Sequence, residues 1–80
     1  MFYVYILKSL KDGKYYIGCT SDLEKRLKRH NSGTNISTRY RRPFEFIYSE
    51  IYNTRIEALA REKEIKSYKG GNSFRNLVNH

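Results

Sequence analysis

The stretch KYYIGCTSDLEKRLKRH, residues 14–30, decides how this chain folds. Residues 14–20 are a run of β-formers and read as a strand. "SDLE" then forms a capping box, with Ser21 as the cap and Glu24 returning the bond. A helix follows to about Asn31, with Gly33 as its stop. Leu23, Leu27 and His30 recur at i, i+4 and i+7, so they share one buried stripe. Arg26 lies one turn before His30 on the edge of that stripe, while Lys25, Lys28 and Arg29 point more outward. The structural task accounts for Ile17, the cap and the two leucines. It leaves over Tyr16, Gly18, Arg26 and His30.

Upstream, residues 2–7 are unbroken apolar and aromatic, which predicts a strand covered on both faces. The intervening "KDGK" carries an Asp-Gly turn signal, so the two strands form a hairpin. A two-residue Asp12-Gly13 loop places Tyr5 opposite Thr20, Leu7 opposite Gly18 and Ser9 opposite Tyr16. Tyr3, Tyr5, Tyr16 and Gly18 then share a face. A three-residue loop with a bulge would send Tyr16 to the other face; the first arrangement is the one expected.

Downstream, residues 32–43 form a loop containing "STRYRRP", and FEFIYSEIY, residues 44–52, is a third strand. "TRIE" is a second capping box that opens a helix from about Arg55 to Lys66. "KGGNSF" ends that helix, and residues 73–79 add a short final turn through Phe74, Leu77 and Val78. The expected fold is α+β in the order ββαβα: one domain, with a core of about residues 2–66 and a basic tail from 67 to 80.

Eighty residues suffice for one small domain with a thin core. Eight Tyr and four Phe compensate with large buried areas, and eight phenols exceed what core filling requires. A net charge of +8 favours a polyanionic partner, nucleic acid or an acidic membrane surface. The apolar run at the N-terminus is too short to span a bilayer and lacks a signal peptide's basic start. Cys19 is the single cysteine, which excludes an internal disulfide and a cysteine-based zinc site and fits a reducing, cytoplasmic setting. Arg39, Arg41 and Arg42, with Tyr40 among them, suit phosphate contact combined with base stacking; a solvated loop is the plainer reading.

One acid stands out. With Ile56 at zero on a helical wheel, Glu57 and Glu64 fall beside Arg61 and Tyr68 on a polar arc. Glu62 falls at about 240°, between Ala58 and Ile65 on one side and Leu59 on the other, on the arc that faces the sheet. A carboxylate there needs a partner. Either a Lys or Arg supplies a structural salt bridge, or a divalent cation does, since Mg²⁺ often takes only one or two protein carboxylates.

Together these residues resemble the GIY-YIG nuclease family. Tyr3-Val4-Tyr5 is similar to its first motif, with Tyr3 in place of the glycine, and Tyr16-Ile17-Gly18 to its second. Arg26, ten residues past Tyr16, His30 four further on, and Glu62 in "EALAREKEIK" match the later positions. The chain looks most like the small single-domain bacterial group related to the nuclease domain of the DNA-repair excinuclease. That likeness implies a three-stranded antiparallel sheet flanked by helices and a link to DNA repair. It implies metal-dependent hydrolysis of phosphodiesters in DNA, or RNA, with one Mg²⁺ or Mn²⁺ on Glu62.

In this resemblance Arg26 stabilises phosphoryl charge, and a tyrosine activates the attacking water. A free phenol titrates about three units too high for an ideal base at neutral pH, so a nearby cation must lower it. Tyr16 is favoured as base with Tyr5 positioning water or phosphate, the roles being exchangeable. His30 assists proton transfer or orients the tyrosine, and Gly18 leaves room for a phosphate or a water. Lys25 and Arg29, with the arginines and Tyr40 of the loop, would bind nucleic acid. Family nucleases commonly join this domain to a separate DNA-binding domain or protein, so a protein partner for targeting is expected. The alternatives are a non-catalytic nucleic-acid-binding module and a purely structural domain.

Overall fold

The computed structural model describes residues 1–32, 40, 42–69 and 71–78. The elements run β1 (Phe2–Ser9), β2 (Tyr15–Thr20), α1 (Leu23–Ser32), β3 (Phe44–Tyr52), α2 (Arg55–Ser67) and α3 (Asn72–Val78). The strands form one antiparallel sheet in the order β2-β1-β3. The central strand β1 is the apolar run, and Val4, Tyr5, Ile6 and Leu7 are completely buried. The α+β class is therefore as expected. The short final turn expected at residues 73–79 is the helix α3, which buries Phe74 and packs Leu77 and Val78 on the core.

The hairpin register differs from the expected one. Tyr5 pairs with Gly18 and Leu7 with Tyr16, a slip of two residues. The loop has four residues, 10–13, because Ser9 and Lys14 close it with a 2.8 Å backbone hydrogen bond. Ser9 explains the choice. Its hydroxyl accepts from the Lys11 and Asp12 N–H groups at 3.2 Å each, its carbonyl accepts from Gly13 N–H at 2.9 Å, and Gly13 takes φ +73°. A slip of two preserves which face each side chain occupies, so Tyr5 and Tyr16 remain together.

Each face of the sheet carries its own apolar cluster. Tyr5, Leu7 and Phe44 pack with Tyr16, Phe46, Leu23 and Leu27 under α1. Val4 and Ile6 pack with Ala58 and Ile65 of α2 and Phe74 of α3. β3 serves both through a bulge. Ile6 pairs with Tyr48 but Leu7 with Phe46, which leaves Ile47 as the extra residue. Phe44 and Phe46 thus face α1, while Tyr48 and Tyr52 face α2.

The helix starts are capped as short polar residues allow. Thr54 caps α2 and accepts from Glu57 N–H at 3.2 Å, as the second box predicts. At α1 the cap is Asp22, not Ser21: its Oδ1 accepts from Lys25 N–H at 3.0 Å, and Thr20 Oγ1 accepts from Asp22 N–H at 3.1 Å. The other end of α1 is tied to β3. Asn31 Oδ1 accepts from Phe44 N–H at 2.7 Å, and Asn31 Nδ2 donates to the Phe44 carbonyl at 3.3 Å.

Glu50 fixes α2 on the sheet. It accepts from Arg61 Nε at 2.8 Å and Nη2 at 3.0 Å, from the Tyr52 hydroxyl at 2.5 Å, and from Tyr48. Burial would raise the Glu50 carboxyl, but the bonds from Arg61, Tyr48 and Tyr52 outweigh it and hold it at about 2. Arg61 also binds Glu64 and lies 3.3 Å from the Tyr68 hydroxyl. The wheel grouped Arg61, Glu64 and Tyr68 but overlooked Glu50. Ile56, the zero of the wheel, is 81% exposed, and Ala58 and Ile65 centre the buried stripe on the far side of the helix.

Replacing Glu50 with Gln is expected to cost roughly 1–3 kcal/mol by urea denaturation at neutral pH. The folded pKa lies below the ordinary 4.5, so this stabilisation is complete above 4.5 and disappears as pH falls toward about 2. Over that acid range the Gln variant should show a flatter stability profile than the wild type.

Candidate active site

Because Gly18 has no side chain, the Tyr5 ring lies across it. A β-carbon at Gly18 would stand 3.0 Å from Tyr5 Cε2 and closer still to the hydroxyl. The glycine therefore makes room for Tyr5 itself, rather than directly for a phosphate or water. The ring is held from three further sides, edge-on by Phe46 at 6.1 Å between centroids, by Tyr16 at 6.4 Å and by His30 at 6.2 Å. The Tyr5 hydroxyl lies 3.3 Å from His30 Nε2.

Above this floor opens a cleft of about 320 Å³. Tyr5, Tyr16 and Gly18 line its base, Arg26 enters from α1, and Glu62 enters from α2. Four of the five catalytic candidates thus meet at one cavity. The fifth, His30, is buried behind the tyrosines, with its ring centroid 4.7 Å from that of Tyr16, and does not line the cleft. Lys25 and Arg29 lie in an adjoining groove. Arg42 and Tyr40 are exposed and line neither space; Arg39, Arg41 and Gly33 fall outside the described residues.

The wheel did not single out Arg55, yet it lines the cleft with Leu59 and Glu62. Those three residues are spaced i, i+4, i+7 on α2, so the signal was present and an arginine at a helix start concealed it. Phe2, Thr20 and Ser21 complete much of the remaining wall.

The electrostatics of Tyr5 follow from its depth. Burial pushes the Tyr5 phenol well above its ordinary range; the charges of Tyr16 and Glu62 add to this, and Arg26 opposes it. Tyr5 therefore keeps its proton at neutral pH and acts as a hydroxyl donor. Burial, followed by the charges of Arg26 and Arg29, holds His30 below its ordinary value, so the imidazole is neutral. Burial likewise raises the Cys19 thiol, with Glu62 adding to the effect.

Among the described residues Glu62 is the sole carboxylate on the cleft wall, and its side chain is 17% exposed. Its Oε2 sits 2.7 Å from Lys66 Nζ, one turn along α2. No group of three His, Cys, Asp or Glu gathers anywhere among the described residues. The donor set suits a hard divalent ion that takes one carboxylate and fills its shell with water and substrate oxygens.

The model of the GIY-YIG catalytic domain matches residues 1–74 of the chain. A UPF0213 protein of Staphylococcus saprophyticus is 46% identical over 67 residues, covering 82% of this chain and 80% of that protein. A UPF0213 protein of Staphylococcus aureus strain N315 is 45% identical over the same shares. Among solved structures, the solution NMR structure of a UPF0213 protein from Bacillus halodurans is 37% identical, covers 91% of this chain and 90% of that one, and superposes with a TM-score of 0.49.

Gly18→Ala should cost about 1–3 kcal/mol of stability by driving the enclosed Tyr5 ring from its seat, which thermal melts and the Tyr5 ring NMR shifts would report. Buried neutral His30 predicts a pH effect. Its folded pKa lies below the ordinary 6.5, so its contribution is intact above 6.5 and falls away as pH drops below it. Urea melts at about pH 7.5 and about pH 5 should show a loss in the wild type that His30→Gln reduces.

Proposed function

The chain belongs to the GIY-YIG family, whose domains act on nucleic acid, and from that premise we propose that it is an endonuclease that hydrolyses phosphodiesters in DNA or RNA. The observation that carries this reading is the convergence of Tyr5, Tyr16, Arg26 and Glu62 on one cleft from four separate elements. Core packing alone gives no reason for a guanidinium, two phenols and a carboxylate to meet there.

Glu62 would hold one Mg²⁺ or Mn²⁺, which supplies Lewis-acid polarisation of the phosphate and charge neutralisation when bound. Arg26 places a fixed positive charge against the phosphoryl oxygens, where negative charge grows during attack. Tyr5, held protonated, donates its hydroxyl to water or phosphate and keeps the reactants in place. Tyr16, which is more exposed, would act as the phenolate, its own proton having passed to solvent, and take one proton of the attacking water as that oxygen bonds to phosphorus; the bond to the 3′ oxygen breaks and that oxygen leaves with a proton from solvent. His30 touches both tyrosines from behind and acts on their orientation. Arg55 adds a second cation to the cleft wall. Targeting by a protein partner is part of the proposal, as is a role in DNA repair. Among the described residues no helix is long and apolar enough to cross a membrane.

A second reading is a nucleic-acid-binding module without catalysis. The Glu62–Lys66 ion pair favours it, since Lys66 satisfies the carboxylate without a metal.

The test is cleavage of labelled single-stranded, duplex and branched DNA and RNA, with Mg²⁺ or Mn²⁺ and with chelator. Metal-dependent cutting is expected. Glu62→Gln and Arg26→Ala should each lower it about 10²–10³-fold with the far-UV circular dichroism unchanged. Equal cutting by Glu62→Gln would overturn the metal-ligand role. Salt-sensitive binding without cutting of any substrate would leave the binding module.

A further inference from the structure

Next to the cleft lies a groove of about 190 Å³, lined by Thr20, Ser21, Asp22, Lys25, Arg26 and Arg29. Thr20, Ser21 and Arg26 line both spaces, so the two are continuous. We infer that this groove is a second phosphate subsite, which holds the nucleic-acid phosphate neighbouring the scissile one. The inference deepens the nuclease reading and rests on it for the position of the scissile phosphate.

Three observations carry it. First, Lys25, Arg26 and Arg29 make no ion pair with any described residue, and all three line this one groove. Three uncompensated cations on two turns of one helix call for an external anion. The carboxylate in the groove, Asp22, is engaged through Oδ1 by the Lys25 N–H of its own helix.

Second, Arg26 and Arg29 are i,i+3 neighbours with about 5–6 Å between β-carbons. Arg26 reaches the cleft, while Arg29 lines only the groove. Two long side chains on that spacing can each hold a separate phosphate of one strand. Third, Thr20, Ser21 and Arg26 are walls of both spaces, so a strand leaving the cleft passes directly into the groove. The strand therefore runs out of the cleft along the first turns of α1. Lys25 and Arg29 bind its next phosphate without touching the reacting one.

The test separates this track from general basicity. Binding of a fluorescein-labelled 12-residue oligothymidylate is measured by anisotropy in EDTA across a salt series, so that no chemistry intervenes. Wild type is compared with Lys25→Ala/Arg29→Ala and with Lys11→Ala/Lys14→Ala. The second pair removes the same charge at the hairpin turn, the end of β2 away from Thr20. The groove variant should bind about tenfold more weakly, with a salt slope lower by about 0.7 for the one phosphate lost. The turn variant should bind less than about threefold more weakly. Equal losses in the two variants would overturn the subsite.

Hydrolysis of bis(p-nitrophenyl) phosphate, which has a single phosphate, tests the underlying reading separately. The groove variant should lose less of this hydrolysis than of its oligonucleotide binding, and an equal loss in both would place Lys25 or Arg29 at the reacting phosphate and overturn the assignment. A wild type inert toward it and toward every oligonucleotide would count against the nuclease reading, while the binding contrast still decides the groove.

Discussion

Tyr5 is fully buried, and its ring lies across the backbone of Gly18, its partner on the neighbouring strand. Most of the site's geometry follows from that contact. Any other residue at this register position would strike the ring, so the hairpin pairing and the tyrosine's orientation hold each other. The enclosed ring then presents its hydroxyl to His30 on one side and to the cleft on the other. Arg26 and Glu62 act on that phenol with opposite sign, and burial outweighs both. A packing constraint thereby becomes a chemical one, because a phenol this deep retains its proton.

The second wall of the cleft depends on a different device. With Ile47 as an extra residue, β3 supplies Phe44 and Phe46 to one face and Tyr48, Glu50 and Tyr52 to the other. Glu50 then holds Arg61 by two bonds, which sets the rotation of α2 about its axis. Glu62, the next residue, points about 100° further round and so reaches the cleft. The half-buried ion pair and the candidate metal ligand are consecutive in sequence and serve adjacent faces of the same helix.

Most of the fold was legible because the periodicities are strong. The runs at 2–7 and 44–52 lack the breaks that would make them helical, and the Thr54 cap lies where its box predicts. Tyr16, Gly18 and Arg26, which line the cleft, were legible as residues left over once packing was satisfied. What was not legible depended on partners distant in the chain. The hairpin loop length was decided by the Ser9 hydroxyl, which no dipeptide rule weighs against Asp-Gly. Glu50 looked like an ordinary strand residue until Arg61 came across to it, and Phe74 like part of a tail until it met Tyr15 at 5.0 Å. Arg55 was missed because its position on α2 was judged by local charge, without reference to the face it shares with Glu62.

Asn31 ties the last turn of α1 to the first residue of β3 through both edges of its amide, across thirteen positions of chain. The two ends of the intervening segment are thereby sutured at a fixed separation. Length and composition changes within that segment are mechanically insulated from Arg26, His30 and the tyrosines. Such a seam anchors the C-terminal end of the helix that carries Arg26 and His30 directly to the sheet, independently of the chain that joins the two elements.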